Sequence, residues 1–127
     1  MKTYTGINQK QFQDFLELSV DGAFQMINLL KFKKKVEGTE LTGAQVYAEY
    51  LNAILPFFQD TRAKIIYQGK PLFGLIGPED TIEWDKILIV EYESKEEFIG
   101  MITKKGYPAE MRSRALSDSR LILSIEK

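Results

Sequence analysis

The sequence predicts an α+β domain of the ferredoxin-like type: a four-stranded antiparallel sheet with helices on one face, preceded by an extra N-terminal helix. Three observations lead there. Lys86-Ile87-Leu88-Ile89-Val90 is apolar at consecutive positions, so neither face of that strand can be left in water. Directly after it, Ser94 with Glu97 forms a capping box that opens an amphipathic helix. Beyond the first helix, the elements follow the order strand–helix–strand–strand–helix–strand, which commonly gives a sheet with its helices on one side. The other side then needs a cover. In a chain of 127 residues a second copy is the simplest one, so the expectation is a homodimer joined through the sheet face, a dimeric α+β barrel.

Each element has its own signals. Asn8, with Gln11 three residues on, caps a first helix carrying Phe12, Phe15, Leu16 and Leu18, and Asp21-Gly22 ends it. Residues 23–32 read as a strand, apolar on both parities at Met26, Ile27, Leu29 and Leu30. A charged loop follows to Leu41. Thr42 and Gln45 form a capping box for a helix with Val46, Tyr47, Tyr50, Leu51, Ile54 and Leu55 on its apolar side. Pro56 is expected to kink or end that helix, since proline lacks the amide hydrogen and crowds the preceding turn. Residues 63–68 form the second strand, broken by Gly69-Lys70-Pro71, with 72–76 as a bent extension towards the Gly77-Pro78 turn. The third strand and its helix are those described above. Gly106 closes that helix, Pro108 suits the first turn of another running through Met111 and Ala115 towards Ser119, and 121–125 form the last strand.

Composition narrows the chemistry. One domain spanning residues 1–127 is long enough to bury roughly two-thirds of its unfolded surface. The formal net charge is −1, and the longest basic run is Lys33-Lys34-Lys35, so nucleic acid has no electrostatic footprint to follow. There is no cysteine and no histidine. Disulfides, thiolate catalysis, zinc–sulfur sites and every histidine-based relay or ligand set are excluded. No metal and no cofactor is expected: the acidic run from Glu79 to Asp85 lacks the spacing of a calcium loop, and the lysines lack the glycine-rich partner of a phosphate loop. With no signal-like start and no apolar run near ~18 residues, a cytoplasmic protein without a membrane segment is expected.

Six residues stand out as candidates. Asn28 interrupts an apolar strand on the parity of Met26 and Leu30, where it either anchors a ligand in a cavity between sheet and helices or satisfies a neighbouring polar group. Glu91 shares a face with Ile87 and Ile89; burial would raise its pKa and poise it as a general base, and the alternative is an ion pair with Arg114 or Arg120. Arg114 could clamp a substrate carboxylate or phosphate, or pair with Glu91 or Asp118. Tyr47 and Tyr50, three apart on one helix face, either line a pocket with their hydroxyls or serve as aromatic core. Trp84 could stack on a planar ligand or close the barrel edge. Tyr67, Tyr92 and Tyr107 present the same pair of readings.

The chain also resembles a set of bacterial proteins, domain-of-unknown-function family 1330. The resemblance runs through Ile27-Asn28-Leu29-Leu30-Lys31-Phe32, Leu41-Thr42-Gly43 with Tyr47 and Tyr50, Ile76-Gly77-Pro78-Glu79, Trp84-Asp85 and Val90-Glu91-Tyr92. It continues with Ser94, Phe98, Met101, Tyr107, Arg114-Ala115-Leu116 and Asp118–Ile122. It covers nearly the whole chain and implies the dimeric α+β barrel, a fold that hosts cofactor-independent monooxygenases, haem-using enzymes, isomerase-like enzymes and binding proteins. The chain departs from the family pattern at Glu93, where proline usually precedes the serine cap, and at Thr61-Arg62, where a glycine pair is usual.

Two functions fit these residue types. In one, a pocket takes a small, largely apolar organic molecule, with Glu91 or a tyrosine moving a proton, Asn28 orienting an oxygen and Arg114 holding an anionic end, in cofactor-independent proton-transfer or oxygenase chemistry. In the other, the protein is a non-catalytic binding or assembly module whose sheet face serves dimerisation. A roomy cavity separates the first from the second.

Overall fold

The structure, a computed structural model, describes residues 2–127. Helix α1 (Gln9–Glu17) precedes β1 (Phe24–Phe32), α2 (Gly43–Gln59), β2 (Lys64–Gly69), β3 (Lys86–Tyr92), α3 (Lys95–Ile102), α4 (Ala109–Ala115) and β4 (Leu116–Ser124). The sheet order is β2-β3-β1-β4, with every neighbouring pair antiparallel. This is the ferredoxin-like arrangement with an additional first helix. Among the described residues, no helix is long and apolar enough to cross a membrane.

The two central strands are apolar on both parities, and the structure divides those parities between two environments. Phe24, Met26, Asn28 and Leu30 of β1, with Leu88, Val90 and Tyr92 of β3, are buried beneath the helices. Ile27, Leu29, Ile87 and Ile89 alternate with them and are half-buried on the opposite face. From α2, Val46, Tyr47, Tyr50 and Ile54 meet the sheet at the three- and four-residue spacing of one helical face. From α3, Phe98 and Met101 do the same. The Phe98 ring lies edge-on to Tyr92, at 4.9 Å between centroids, and to Phe15 of α1, at 5.6 Å.

Helix α2 begins as its sequence requires. Gln45 N–H donates to Thr42 Oγ1 at 3.1 Å, and Thr42 N–H donates to Gln45 Oε1 at 2.9 Å. Gly43 sits where three backbone segments converge: its N–H donates to Lys33 O at 2.8 Å, while Lys33 N–H donates to Ala115 O at 3.0 Å. A Cβ built on Gly43 would lie 2.3 Å from Ala115 O. Glycine is therefore needed for close approach, joining the end of β1, the start of α2 and the end of α4.

Three local expectations are corrected. Pro56 does not end α2, which continues to Gln59. Asn52, whose carbonyl loses its helical donor there, is on the exposed side, so water can serve in its place. Residues 72–76 form no strand extension but an arm that leaves the domain, with Leu72, Phe73, Leu75 and Ile76 between 79% and 96% exposed. The last strand starts at Leu116 rather than 121, because Leu116 pairs with Phe32 and the polar run from Asp118 to Arg120 pairs with Leu29–Lys31 of β1 despite lacking apolar alternation.

Candidate functional site

A cavity of about 480 Å³ lies between the helix-covered side of β1 and β3 and the helices α2 to α4. Met26, Ile54, Leu88, Val90 and Phe98 give it apolar walls. Asn28, Tyr47, Tyr50, Tyr92, Tyr107 and Arg112 add polar groups at its lining. The size and the mix of apolar wall with a few converging polar groups match a small-molecule site. Next to it, a broader groove of about 850 Å³ beneath α1 shares Met26, Phe98 and Arg112 with the cavity.

Asn28 is 5% exposed, and its strand position aims the side chain under the helices. Its Nδ2 donates to Leu88 O at 3.1 Å, across the β1–β3 pair. Its Oδ1 accepts from Arg112 Nη2 at 3.0 Å. The amide is thus satisfied within the fold and at the same time orients a guanidinium beside the cavity. Arg112 projects from α4 on the side of Pro108 and Ala115, four residues before and three after it, and so faces inward with them.

The tyrosines form one cluster. The Tyr50 and Tyr107 hydroxyls are 2.5 Å apart, and the rings of Tyr47 and Tyr50 pack at 5.3 Å. Burial is the main reason the phenols of Tyr47, Tyr50 and Tyr92 have pKa values well above the ordinary 10.0. For Tyr47 the nearby Arg112 charge works in the opposite direction and is outweighed. Burial also pushes Tyr107 up to about 12. All four are neutral phenols near pH 7, able to donate a hydrogen bond and poor as bases.

The N-terminal segment passes over this region. Ser113 Oγ donates to Thr5 O at 2.9 Å, Ser119 Oγ donates to Tyr4 O at 2.7 Å, and Tyr4 N–H donates to Asp118 Oδ1 at 2.9 Å. Thr5, Gly6 and Ile7 contribute to the cavity rim.

Of the residues singled out from sequence, Asn28, Tyr47 and Tyr50 meet at this cavity, while Glu91, Arg114 and Trp84 do not. Glu91 lies on the opposite face of the sheet. It accepts from Gln25 Nε2 at 2.9 Å and pairs with Lys64 at 3.6 Å, rather than with Arg114 or Arg120. Arg114 is exposed, and its Nη2 reaches Glu37 O at 3.4 Å; α4 turns it away from the side that presents Arg112. Asp118 pairs instead with Arg120, at 2.8 Å. The Trp84 ring stands 5.1 Å from the Arg120 guanidinium, which also lies 5.0 Å from the Tyr4 ring. The residue that sequence reasoning missed is Arg112. Its signal was present in the helical spacing Pro108–Met111–Arg112–Ala115, which puts an arginine beside the apolar stripe. Among the described residues, no group of three or more acidic side chains is arranged to hold a metal ion.

No protein-family model matches the chain, and no curated protein matches it. Solved structures do. A protein of unknown function from Rhodopseudomonas palustris superposes with a TM-score of 0.90 at 32% identity, over 99% of this chain and 98% of that one. A dabb family protein with a ferredoxin-like fold from Mesorhizobium loti gives 0.51 at 12% identity, over 84% of this chain and 99% of the other. A dimeric ferredoxin-like protein of unknown function from Thermobifida fusca gives 0.52 at 12%, over 83% and 92%. The last two share the fold. With about a third of its residues identical over nearly the full length of both chains, this chain belongs to the family of the Rhodopseudomonas palustris protein.

Proposed function

We propose that the protein binds a small organic molecule in the cavity between sheet and helices, as a cytoplasmic homodimer of the family 1330 type. The observation that carries this reading is the convergence of Asn28, Arg112, three buried tyrosines and the half-buried Tyr107 on one space with apolar walls. A module that served assembly alone would have no need to keep that interior open. Arg112 and the neutral phenols suit hydrogen-bond donation to ligand oxygens. The carboxylate on the lining is Glu110, exposed at the rim, and Glu91 is on the other face, so the proposal is binding and orientation rather than proton abstraction by a buried carboxylate.

The dimer is part of the same proposal. Ile27, Leu29, Ile87 and Ile89 form a half-buried apolar field with Ile122 beside it, and Tyr67, paired with Ile89, is 51% exposed. The arm carrying Leu72, Phe73, Leu75 and Ile76 leaves the domain just beyond β2. Apolar area of this kind on a small chain marks a contact surface. A second copy is the occupant we favour, and the Thermobifida fusca protein of the same fold is described as dimeric.

A melting screen of organic acids, phenols and flavins on the wild type and on Asn28→Ala tests the pocket. The expected result is stabilisation of the wild type by at least one class, lost in the variant. No stabilising compound in any class would count against the reading.

A further inference from the structure

The pocket proposed above has one feature that selects among ligands. Arg112 is half-buried and lines both the cavity and the groove beside it. Its guanidinium donates to a neutral acceptor, Asn28 Oδ1, and lies beside the neutral Tyr47 hydroxyl. Among the described residues, no carboxylate comes within 4.0 Å of it, although six other ion pairs form elsewhere in the chain. Glu110 is two residues away on a short helix, a spacing that points side chains to different sides, and it is exposed.

We propose that the ligand is a small organic acid, with its carboxylate on Arg112 and its apolar body against Met26, Leu88, Val90 and Phe98. This rests on the small-molecule reading of the cavity and narrows it. A partly desolvated cation without a counter-charge gains most from an anion. The planar guanidinium matches a carboxylate in geometry and has most of its N–H groups left after Asn28 takes one. Asn28, itself tied to Leu88 O at 3.1 Å, fixes the orientation of the guanidinium before a ligand arrives. The surrounding phenols supply further donors and no negative charge, and the carboxylate on the lining, Glu110, is exposed at the rim.

The test is isothermal titration of the full chain with phenylacetate, benzoate and hexanoate, each beside its uncharged amide. At least one acid should bind the wild type about tenfold or more tightly than its amide, the scale of a charge-assisted hydrogen bond. In Arg112→Gln that preference should disappear, and Arg112→Lys, which keeps the charge without the planar fork, should fall between. Equal binding of acids and amides would overturn the acid assignment and leave the pocket standing. An undiminished preference for acids in Arg112→Gln would move the anion site elsewhere and overturn it as well. Failure of every acid and every amide to bind the wild type would sink the pocket and this inference together. The acid–amide comparison needs no variant, so a poorly folded substitution does not remove the test.

Discussion

Arg112 and Asn28, 84 positions apart in the chain, meet at 3.0 Å, tying helix α4 to the central strand of the sheet. The bond gives a buried amide oxygen its donor and gives the guanidinium its orientation. Loss of Asn28 should therefore be felt twice. Asn28→Ala leaves the Arg112 guanidinium without its acceptor and removes the donor to Leu88 O, at a cost of about 2 kcal/mol. Urea denaturation of the two proteins measures it. A variant as stable as the wild type would show that this bond contributes nothing to the fold.

Gly43 is irreplaceable for a steric reason. A methyl group there would collide with the backbone of both Lys33 and Ala115, which no side-chain rotation can relieve. Gly43→Ala should destabilise by about 3 kcal/mol through overpacking, with the start of α2 displaced. Thermal melting followed by far-ultraviolet circular dichroism checks this. Wild-type melting in the variant would mean that the three segments are not held as closely as described.

The tyrosine cluster predicts alkaline instability. Burial raises the pKa values of Tyr47, Tyr50, Tyr92 and Tyr107 above 10.0, so above that pH the folded chain holds protons that the unfolded chain has released. Their contribution to stability is complete below pH ~10 and is lost as pH rises through the folded values, about 12 for Tyr107. Urea midpoints should fall steeply above pH ~10, with most tyrosinate absorbance appearing together with unfolding. A folded chain at pH ~11 with all its tyrosines ionised would contradict the buried cluster.

The dimer proposal predicts a specific weakness on the open sheet face. Ile89 lies between Ile27 and Tyr67 across its two neighbouring strands, so Ile89→Asp would bury an unpaired charge, at a cost of about 3 kcal/mol or more. Sedimentation should show a monomer or an unfolded chain. Replacing Phe73 and Ile76 together with Ser should weaken association and leave the helical signal intact, because the arm makes no part of the core. An Ile89→Asp protein that remained dimeric with unchanged melting would count against the face-to-face arrangement.

Much of this fold was legible because its signals are local. The capping box at Thr42 and the serine cap at Ser94, whose Glu97 accepts from Arg62 N–H rather than closing a box, mark helix starts, and the doubly apolar β1 and β3 mark central strands. The polar beginning of β4 was not legible: Asp118, Ser119 and Arg120 have no strand-like alternation, and only pairing with β1 makes them a strand. Pro56 in mid-helix depends on which side of α2 faces water, a tertiary property. In the site, Asn28 stood out as a polar break in an apolar strand, and Tyr47 and Tyr50 by their helical spacing. Glu91 and Arg114 looked equally suitable by residue type. They fall outside the cavity because strand parity sends Glu91 to the far face and helix phase turns Arg114 outward, while the same phase turns Arg112 inward.

The most direct test of the account is nitrogen-15 nuclear magnetic resonance of the wild-type chain titrated with phenylacetate, observing the Asn28 side-chain amide and the Arg112 guanidinium. The account predicts saturable shifts at both groups, with smaller ones along the neighbouring cavity wall. Saturable shifts confined to the open sheet face or the 72–76 arm, with Asn28 and Arg112 unmoved, would contradict it.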